Sequence, residues 1–130
     1  MGNIWVKEQK KILIVDDSVS NADSFKDVLE LFGYQAQCVY DWQKVLDLLS
    51  TEQFEIIFMD INLKDMSGIT LLKNIKMSAP IHHHNTKFIA VSGYSVDDPI
   101  GTEASNVFDF YIQKPINLEN LETLLASIDS

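Results

Sequence analysis

Five short apolar runs recur along the chain, and a longer stretch of mixed polarity follows each of them. The runs are rich in β-branched and aromatic residues, which is typical of strands buried on both faces of a sheet. They cover 11–15, 35–39, 54–60, 87–91 and 108–112. The run at 35–39 contains two glutamines and is more polar than the others, so we expect it nearer an edge of the sheet.

The stretches between the runs carry apolar residues at three- and four-residue steps, the spacing that places them on one face of a helix. The residues concerned are Ala22, Phe25, Val28, Leu29 and Phe32; Trp42, Val45, Leu46 and Leu49; Ile69, Leu72 and Ile75, with Lys76; and Leu118, Leu121, Leu125 and Ile128. Ser18 or Ser20 can cap the first of these helices, and Gly33 has the position of a glycine that ends it. Asp41 and Asn117 precede the second and the last helix as candidate caps.

The segment between the fourth and fifth runs, from Ser95 to Asn106, has a helix position in the pattern but contains Pro99 and Gly101. Both residues disfavour a helix interior, so we expect a short or mobile helix there. Five strands that alternate with five helices predict parallel βαβ units, and right-handed crossovers place helices on both faces of the sheet. The pattern therefore predicts an α/β fold of three layers, a doubly wound (βα)5 domain around a five-stranded parallel sheet.

The composition narrows the class of protein. A length of 130 residues fits one domain, which we place at 11–130 after a loosely ordered leader at 1–10. The net charge of −9 argues against a surface that binds nucleic acid directly. Cys38 is the only cysteine, which excludes an internal disulfide, and no apolar run approaches the ~20 residues that cross a bilayer. We expect a cytoplasmic protein, or a piece of one, without membrane insertion.

Polar or charged side chains stand at the ends of four of the five predicted strands. They are Asp16 and Asp17 after the first strand, Asp60 at the end of the third, Ser92 after the fourth and Lys114 after the fifth. Since the carboxyl ends of parallel strands meet at the edge where α/β sheets bind ligands, we expect these groups to lie together. Three neighbouring carboxylates repel one another unless a cation joins them, and their hard oxygen atoms suit Mg²⁺. With a lysine and a hydroxyl as donors to a tetrahedral anion, the set fits phosphoryl transfer onto a carboxylate.

In this order, at these strand ends, the residues resemble the receiver domain of two-component response regulators. The segments that carry the resemblance are Ile14-Val15-Asp16-Asp17, Asp60-Ile61-Asn62-Leu63 with Met66-Ser67-Gly68, Val91-Ser92-Gly93 and Tyr111-Ile112-Gln113-Lys114-Pro115. The likeness runs from Lys11 to about Ile128. It implies a CheY-like, flavodoxin-like fold with strand order 2-1-3-4-5 and a cis bond between Lys114 and Pro115.

The resemblance also implies the chemistry of the acidic residues. Asp60 has the position of the phosphoacceptor. Asp17 and Asp60, with the backbone carbonyl of Asn62, would bind Mg²⁺ directly, and Asp16 would act through bound water. Such a domain is a signalling phosphoacceptor, not an enzyme with a separate substrate, because it catalyses only its own phosphorylation and dephosphorylation.

By the same resemblance, Ser92 and Lys114 would hold the phosphoryl oxygens, and Tyr111 has the position of the aromatic switch residue. In such domains the aromatic ring turns inward when the hydroxyl residue moves toward the phosphoryl group. The donor is a phosphohistidine on a histidine kinase or a histidine phosphotransfer protein. Some receivers are linked to kinase or output domains. The sequences Asp-Ile-Asn-Leu and Val-Ser-Gly-Tyr in this chain resemble those of receivers attached to hybrid histidine kinases.

Departures from the family pattern leave other hypotheses open. Lys64 stands where many receivers have proline, and Pro99 and Gly101 interrupt the fourth helix segment. These departures favour an alternative to the phosphoacceptor, a pseudo-receiver that acts as a constitutive protein-interaction module. Retention of the acidic residues argues against this alternative. A phosphatase with an aspartyl intermediate is a third hypothesis, but it usually needs a second acid two residues after the nucleophile, where this chain has Asn62.

Two further features carry less weight. The adjacent residues His82, His83 and His84 lie in a polar connection and do not converge easily on one metal ion, so we expect a solvated loop. Cys38 fits a small buried residue better than a reactive thiol.

Overall fold

The computed structural model describes residues 10–78 and 85–129. Within these ranges seven strands and five α-helices follow one another along the chain. They are β1 Lys11–Val15, α1 Val19–Leu31, β2 Gln35–Val39, α2 Val45–Leu49 after a 3-10 turn at Trp42–Lys44, β3 Ile56–Asp60, β4 Asn62–Leu63, β5 Met66–Ser67, α3 Gly68–Ser78, β6 Lys87–Ser92, α4 Pro99–Val107, β7 Phe110–Gln113 and α5 Leu118–Asp129. The leader expected at 1–10, except Lys10, and the histidine connection lie outside the described residues.

Five of the strands form one parallel sheet in the order β2-β1-β3-β6-β7. Once the short strands β4 and β5 are set aside, this is the predicted order 2-1-3-4-5. Strand β3 lies at the centre, and all five of its residues are buried. Strand β2 lies at an edge, as its more polar sequence predicted. The doubly wound α/β fold is therefore confirmed.

Apolar side chains fill both sides of the sheet, which explains why the strand sequences are apolar throughout and do not alternate. On one side Ile12 and Phe58 pack with buried residues of α1 and α5, including Leu29 and Leu121. On the other side the buried residues of the strands pack with α2, α3 and α4. No helix within 10–78 and 85–129 is long and apolar enough to cross a membrane.

The helix ends follow local signals in the sequence. Ser18, and not Ser20, caps α1, since its Oγ accepts from the N–H of Asn21 at 3.4 Å. Gly33 follows that helix with φ +95°, a backbone conformation that glycine adopts at little cost. Asn117 caps α5, because its Oδ1 accepts from the N–H groups of the first turn at 2.8 and 3.1 Å.

The fourth helix differs from the expectation that Pro99 and Gly101 would interrupt it. Pro99 stands in the first turn of α4, where a helix N–H has no partner within the helix and proline is tolerated. Gly101 is buried, and a Cβ there would lie 1.9 Å from the carbonyl oxygen of Ser95. The helix is short, as expected, but the proline begins it and the glycine permits its close packing.

Two smaller expectations were wrong. Residues 62–68 were expected as a loop, whereas 62–67 form an antiparallel hairpin in which Asn62 pairs with Ser67 and Leu63 pairs with Met66. Leu118 was assigned to the apolar face of the last helix, but it is 55% exposed. It is the first residue of α5 and lies at the end of the helix beyond the core.

Candidate functional site

The acidic side chains meet at the carboxyl edge of the sheet because β1 and β3 are parallel neighbours. Val15 pairs with Met59. The residues that follow, Asp16 and Asp60, therefore stand side by side where the two strands end. One carboxylate oxygen from each of Asp16, Asp17 and Asp60 lies within 4.8 Å of the other two. The fold thus brings together the three acidic residues that the sequence predicted as a cluster.

Both oxygen atoms of the buried Asp60 carboxylate have a donor. Oδ1 accepts from the backbone N–H of Asn62 at 2.9 Å, and Oδ2 accepts from Lys114 Nζ at 3.0 Å. The same ammonium lies 3.7 Å from Asp16 Oδ2. Burial alone would lower the pKa of Lys114, but the hydrogen bond to Asp60 and the charges of Asp60 and Asp16 outweigh it and raise the pKa above the ordinary lysine value. The lysine is therefore charged at neutral pH.

Asp16 is a buried carboxyl group, with 7% of the residue exposed. Its Oδ1 accepts from the backbone N–H of Ser18 at 2.9 Å. Burial raises the pKa of Asp16 above its ordinary value, and the negative charge of Asp60 adds to this effect, although the Ser18 N–H and the charge of Lys114 oppose it. A cation bound beside Asp16 would favour its ionised form.

Asp17 differs from its two neighbours because it is exposed. Its Oδ2 accepts from the backbone N–H of Lys64 at 2.7 Å, across 47 residues of sequence. Sequence reasoning did not find this contact, and no residue type signals it, since the donor is a main-chain group. Asn62, the other predicted metal ligand, lies exposed on β4 beside the cluster.

Gly68 holds the start of α3 against the backbone of Asp60. A Cβ at this position would lie 2.5 Å from the carbonyl oxygen of Asp60 and 2.9 Å from the Cα of Ile61. The N–H of Gly68 donates to the carbonyl oxygen of Ile61 at 2.8 Å. The sequence marked this glycine only as part of a motif, whereas the structure gives its reason, the close approach of two backbone segments.

Ser92 lies at the end of β6, almost fully buried at 1% exposure. Its carbonyl oxygen accepts from the backbone N–H of Lys114 at 2.7 Å, but its Oγ accepts from the N–H of Tyr94 at 3.0 Å. The hydroxyl of Tyr111 donates to the carbonyl oxygen of Tyr94. The two predicted switch residues are therefore connected to each other through the backbone of Tyr94.

The donor set fits a hard divalent cation. The cluster contains carboxylates only, without histidine or cysteine, and it combines three acidic groups with one ammonium. Carboxylate oxygens are the ligands that Mg²⁺ prefers, usually one or two of them together with water and phosphate oxygens. The bond between Lys114 and Pro115 is cis, as the resemblance implied.

Comparison with known proteins agrees with this geometry. Residues 12–126 match the family model of the response regulator receiver domain. A CheY-like receiver domain from Methylobacillus flagellatus has a TM-score of 0.82 and 40% identity, covering 93% of this chain and 99% of that one.

Two curated relatives differ in how much of their own length this chain matches. The transcriptional regulatory protein CrdR of Helicobacter pylori is 27% identical over 114 residues, which are 88% of this chain and 52% of CrdR. The polar-differentiation response regulator DivK of Brucella anthropi is 28% identical over 116 residues, 88% of this chain and 93% of DivK. The chain thus spans about half the length of CrdR and nearly all of DivK. From the family match and the fold, the chain belongs to the response regulator receiver domain family of two-component signalling.

Proposed function

We propose that this receiver domain is a phosphorylation-dependent switch in which Asp60 accepts a phosphoryl group from a phosphohistidine, with Mg²⁺ as cofactor. The phosphohistidine belongs to a histidine kinase or a histidine phosphotransfer protein. This donor is either a separate protein or a domain covalently linked to the receiver. One observation carries the proposal: one carboxylate oxygen from each of Asp16, Asp17 and Asp60 lies within 4.8 Å of the other two, and Lys114 Nζ lies 3.0 Å from Asp60 Oδ2. This arrangement combines acidic groups that can bind a metal ion with a cation that can bind phosphoryl oxygens.

The metal would be held by Asp17, Asp60 and the backbone carbonyl of Asn62, with Asp16 acting through bound water. When bound, Mg²⁺ neutralises charge on the phosphoryl oxygens during transfer. Asn62 lies two residues after Asp60, and its N–H donates to Asp60 Oδ1.

In the transfer step, one oxygen of Asp60 forms a bond to phosphorus while the bond from phosphorus to the donor imidazole nitrogen breaks. The imidazole keeps the electron pair and takes a proton from solvent. Lys114 Nζ, which donates to Asp60 Oδ2, would then donate to an oxygen of the new phosphoryl group. The added group carries about −1.5 to −2 charge, which the ammonium and the metal offset.

The switch would follow from the hydrogen bonds of Ser92. The hydroxyl oxygen accepts from the N–H of Tyr94, and its O–H can donate to a phosphoryl oxygen, so a movement of Ser92 toward the phosphoryl group would change its contact with Tyr94. Tyr111 is bonded to the carbonyl of the same residue, so a change at Ser92 reaches the aromatic ring through one peptide segment. The protein-interaction face near β6, α4 and β7 would change as a result.

Intact-mass measurement after incubation with Mg²⁺ and a small acyl phosphate tests the proposal. We expect the wild type to gain the mass of one phosphoryl group in a form that hydroxylamine removes. The Asp60→Asn variant should gain nothing. The Asp65→Asn variant is the matched control, because it removes one negative charge from the exposed turn of the same hairpin, and it should gain mass like the wild type. An undiminished gain in Asp60→Asn, or none in the wild type, contradicts the proposal.

A constitutive interaction module is the second candidate function. The observation that favours it is that both oxygens of Asp60 already have donors within the chain. Such a module need not bind Mg²⁺. A titration with Mg²⁺ that leaves the amide resonances of Asp17 and Asn62 unmoved would favour it over the phosphorylation switch.

A further inference from the structure

The hairpin that follows Asp60 turns within two residues. Its pairs, Asn62 with Ser67 and Leu63 with Met66, leave Lys64 and Asp65 as the central turn residues. Asp65 has φ +62°, and it is the single non-glycine residue with positive φ in the described part of the chain. Asp65 therefore has the left-handed conformation at the second central position, whereas Lys64, at the first, is not among the residues with positive φ.

This hairpin donates backbone N–H groups to two carboxylates that come from different strands. The N–H of Asn62 reaches Asp60 Oδ1 at 2.9 Å, and the N–H of Lys64 reaches Asp17 Oδ2 at 2.7 Å. A hydrogen bond to an ionised carboxylate is shorter and stronger than one between neutral groups. The hairpin therefore ties the ends of β1 and β3 to each other through side chains that the proposed metal site uses.

We propose that the backbone N–H of Lys64 is a positioning group for the metal site: it fixes Asp17 for Mg²⁺ and so raises the affinity of the domain for the ion. The inference rests on the proposed function, and it adds a group that this function does not use. Asp16 and Asp60 are held by burial, with 7% and 8% of each residue exposed, whereas Asp17 is exposed. An exposed carboxylate must lose rotamer freedom to bind a metal, and a donor that already holds one oxygen reduces this cost.

Lys64→Pro removes this N–H with little disturbance to the turn. Proline requires a negative φ, Lys64 is not among the residues with positive φ, and the extended backbone of Leu63 suits a residue that precedes proline. Lys64→Ala is the matched control, because it loses the same ammonium but keeps the N–H. Any difference between the two variants therefore reports on the hydrogen bond and not on the side-chain charge.

The test is a Mg²⁺ titration of the full chain, followed by amide NMR shifts at the hairpin. We expect Lys64→Ala to bind Mg²⁺ like the wild type and Lys64→Pro to bind it about tenfold more weakly, the lower end of the loss typical of outer-shell partners. Equal affinity in Lys64→Pro and Lys64→Ala overturns the inference while leaving the proposed function intact. A wild type that binds no Mg²⁺ overturns both.

A second measurement needs no proline and no metal. In the wild type the amide proton of Lys64 should be shifted downfield and protected from exchange with solvent, as expected for a donor to a carboxylate. In Asp17→Ala the resonance should move upfield and the exchange should quicken. An amide of Lys64 that is unaffected by Asp17→Ala overturns the inference even if Lys64→Pro fails to fold.

Discussion

Lys114 Nζ lies 3.0 Å from Asp60 Oδ2, although Lys114 follows an outer strand of the sheet and Asp60 ends the central one. Strand β6 lies between them, and its last residue, Ser92, accepts from the backbone N–H of Lys114 at 2.7 Å. The lysine side chain therefore extends across the end of β6 to reach the acidic cluster. The pairing of the two side chains depends on strand order and not on local sequence.

Lys114→Met should slow phosphorylation of Asp60 by an acyl phosphate about a hundredfold, the typical cost of losing one donor to a developing oxyanion. The control is Lys73→Met, which removes the same charge from an exposed position on α3. Initial rates of mass gain at saturating Mg²⁺ measure the effect. Similar rates in the two variants would exclude a role for the ammonium in transfer.

Asp16→Asn should stabilise the metal-free protein at neutral pH. Burial first, and then the charge of Asp60, raises the pKa of Asp16, so the unfolded chain releases this proton at a lower pH than the folded one. The contribution of Asp16 to the free energy of unfolding therefore falls as pH rises from its ordinary pKa to the raised one. Asparagine does not ionise, and its Oδ1 still accepts from Ser18. We thus expect its advantage to be full above the raised pKa and to shrink on acidification.

Urea denaturation of the wild type and Asp16→Asn at several pH values, without divalent ions, measures this difference. Asp27→Asn, at an exposed position on α1, controls for the loss of one negative charge. An advantage of Asp16→Asn that grows as the pH falls would contradict the assignment.

Gly101→Ala should lower the free energy of unfolding by about 1–3 kcal/mol, the typical cost of overpacking, or by more. The new Cβ would lie 1.9 Å from the carbonyl oxygen of Ser95, so the helix or the turn before it must move. Gly93→Ala is the control, because no described residue other than its two chain neighbours has an atom within 4 Å of the Cβ position. Urea unfolding curves compare the two, and equal losses would mean that the contact does not limit the packing of α4.

Tyr111→Phe should destabilise the protein by about 1 kcal/mol, since it leaves the half-buried carbonyl of Tyr94 without its hydroxyl donor. It should also shift the amide resonance of Tyr94, whose N–H donates to Ser92. Tyr40→Phe loses a hydroxyl that is bonded to Asp23 at an exposed site, and it should change neither quantity appreciably. An unmoved Tyr94 amide in Tyr111→Phe would argue against the connection.

The strands and the acidic cluster could be predicted from the sequence because both follow from burial. Strand β3 is apolar up to Asp60, so the carboxylate had to lie at the strand end, and a parallel sheet gathers such ends at one edge. The edge position of β2 followed from its glutamines in the same way. These features depend on residue type and spacing, which the sequence displays directly.

Other features depend on backbone groups or on close packing, which residue types do not reveal. The N–H of Lys64 is a donor that nearly every residue carries, so its bond to Asp17 had no signature. From the sequence, Gly101 resembled a residue that interrupts a helix. Its close packing against Ser95, which lies outside the helix, explains why a glycine is needed there. The predicted roles of Ser92, Asn62 and Tyr111 in transfer and switching stay predictions.

The backbone of Tyr94 bears both hydrogen bonds, one through its N–H to Ser92 and one through its carbonyl from Tyr111. Its own phenol is needed for neither. The side chain at position 94 can therefore change without loss of the hydrogen bonds that connect the Ser92 hydroxyl to Tyr111. Any residue other than proline supplies the same two main-chain groups, so a substitution at position 94 leaves both hydrogen bonds available.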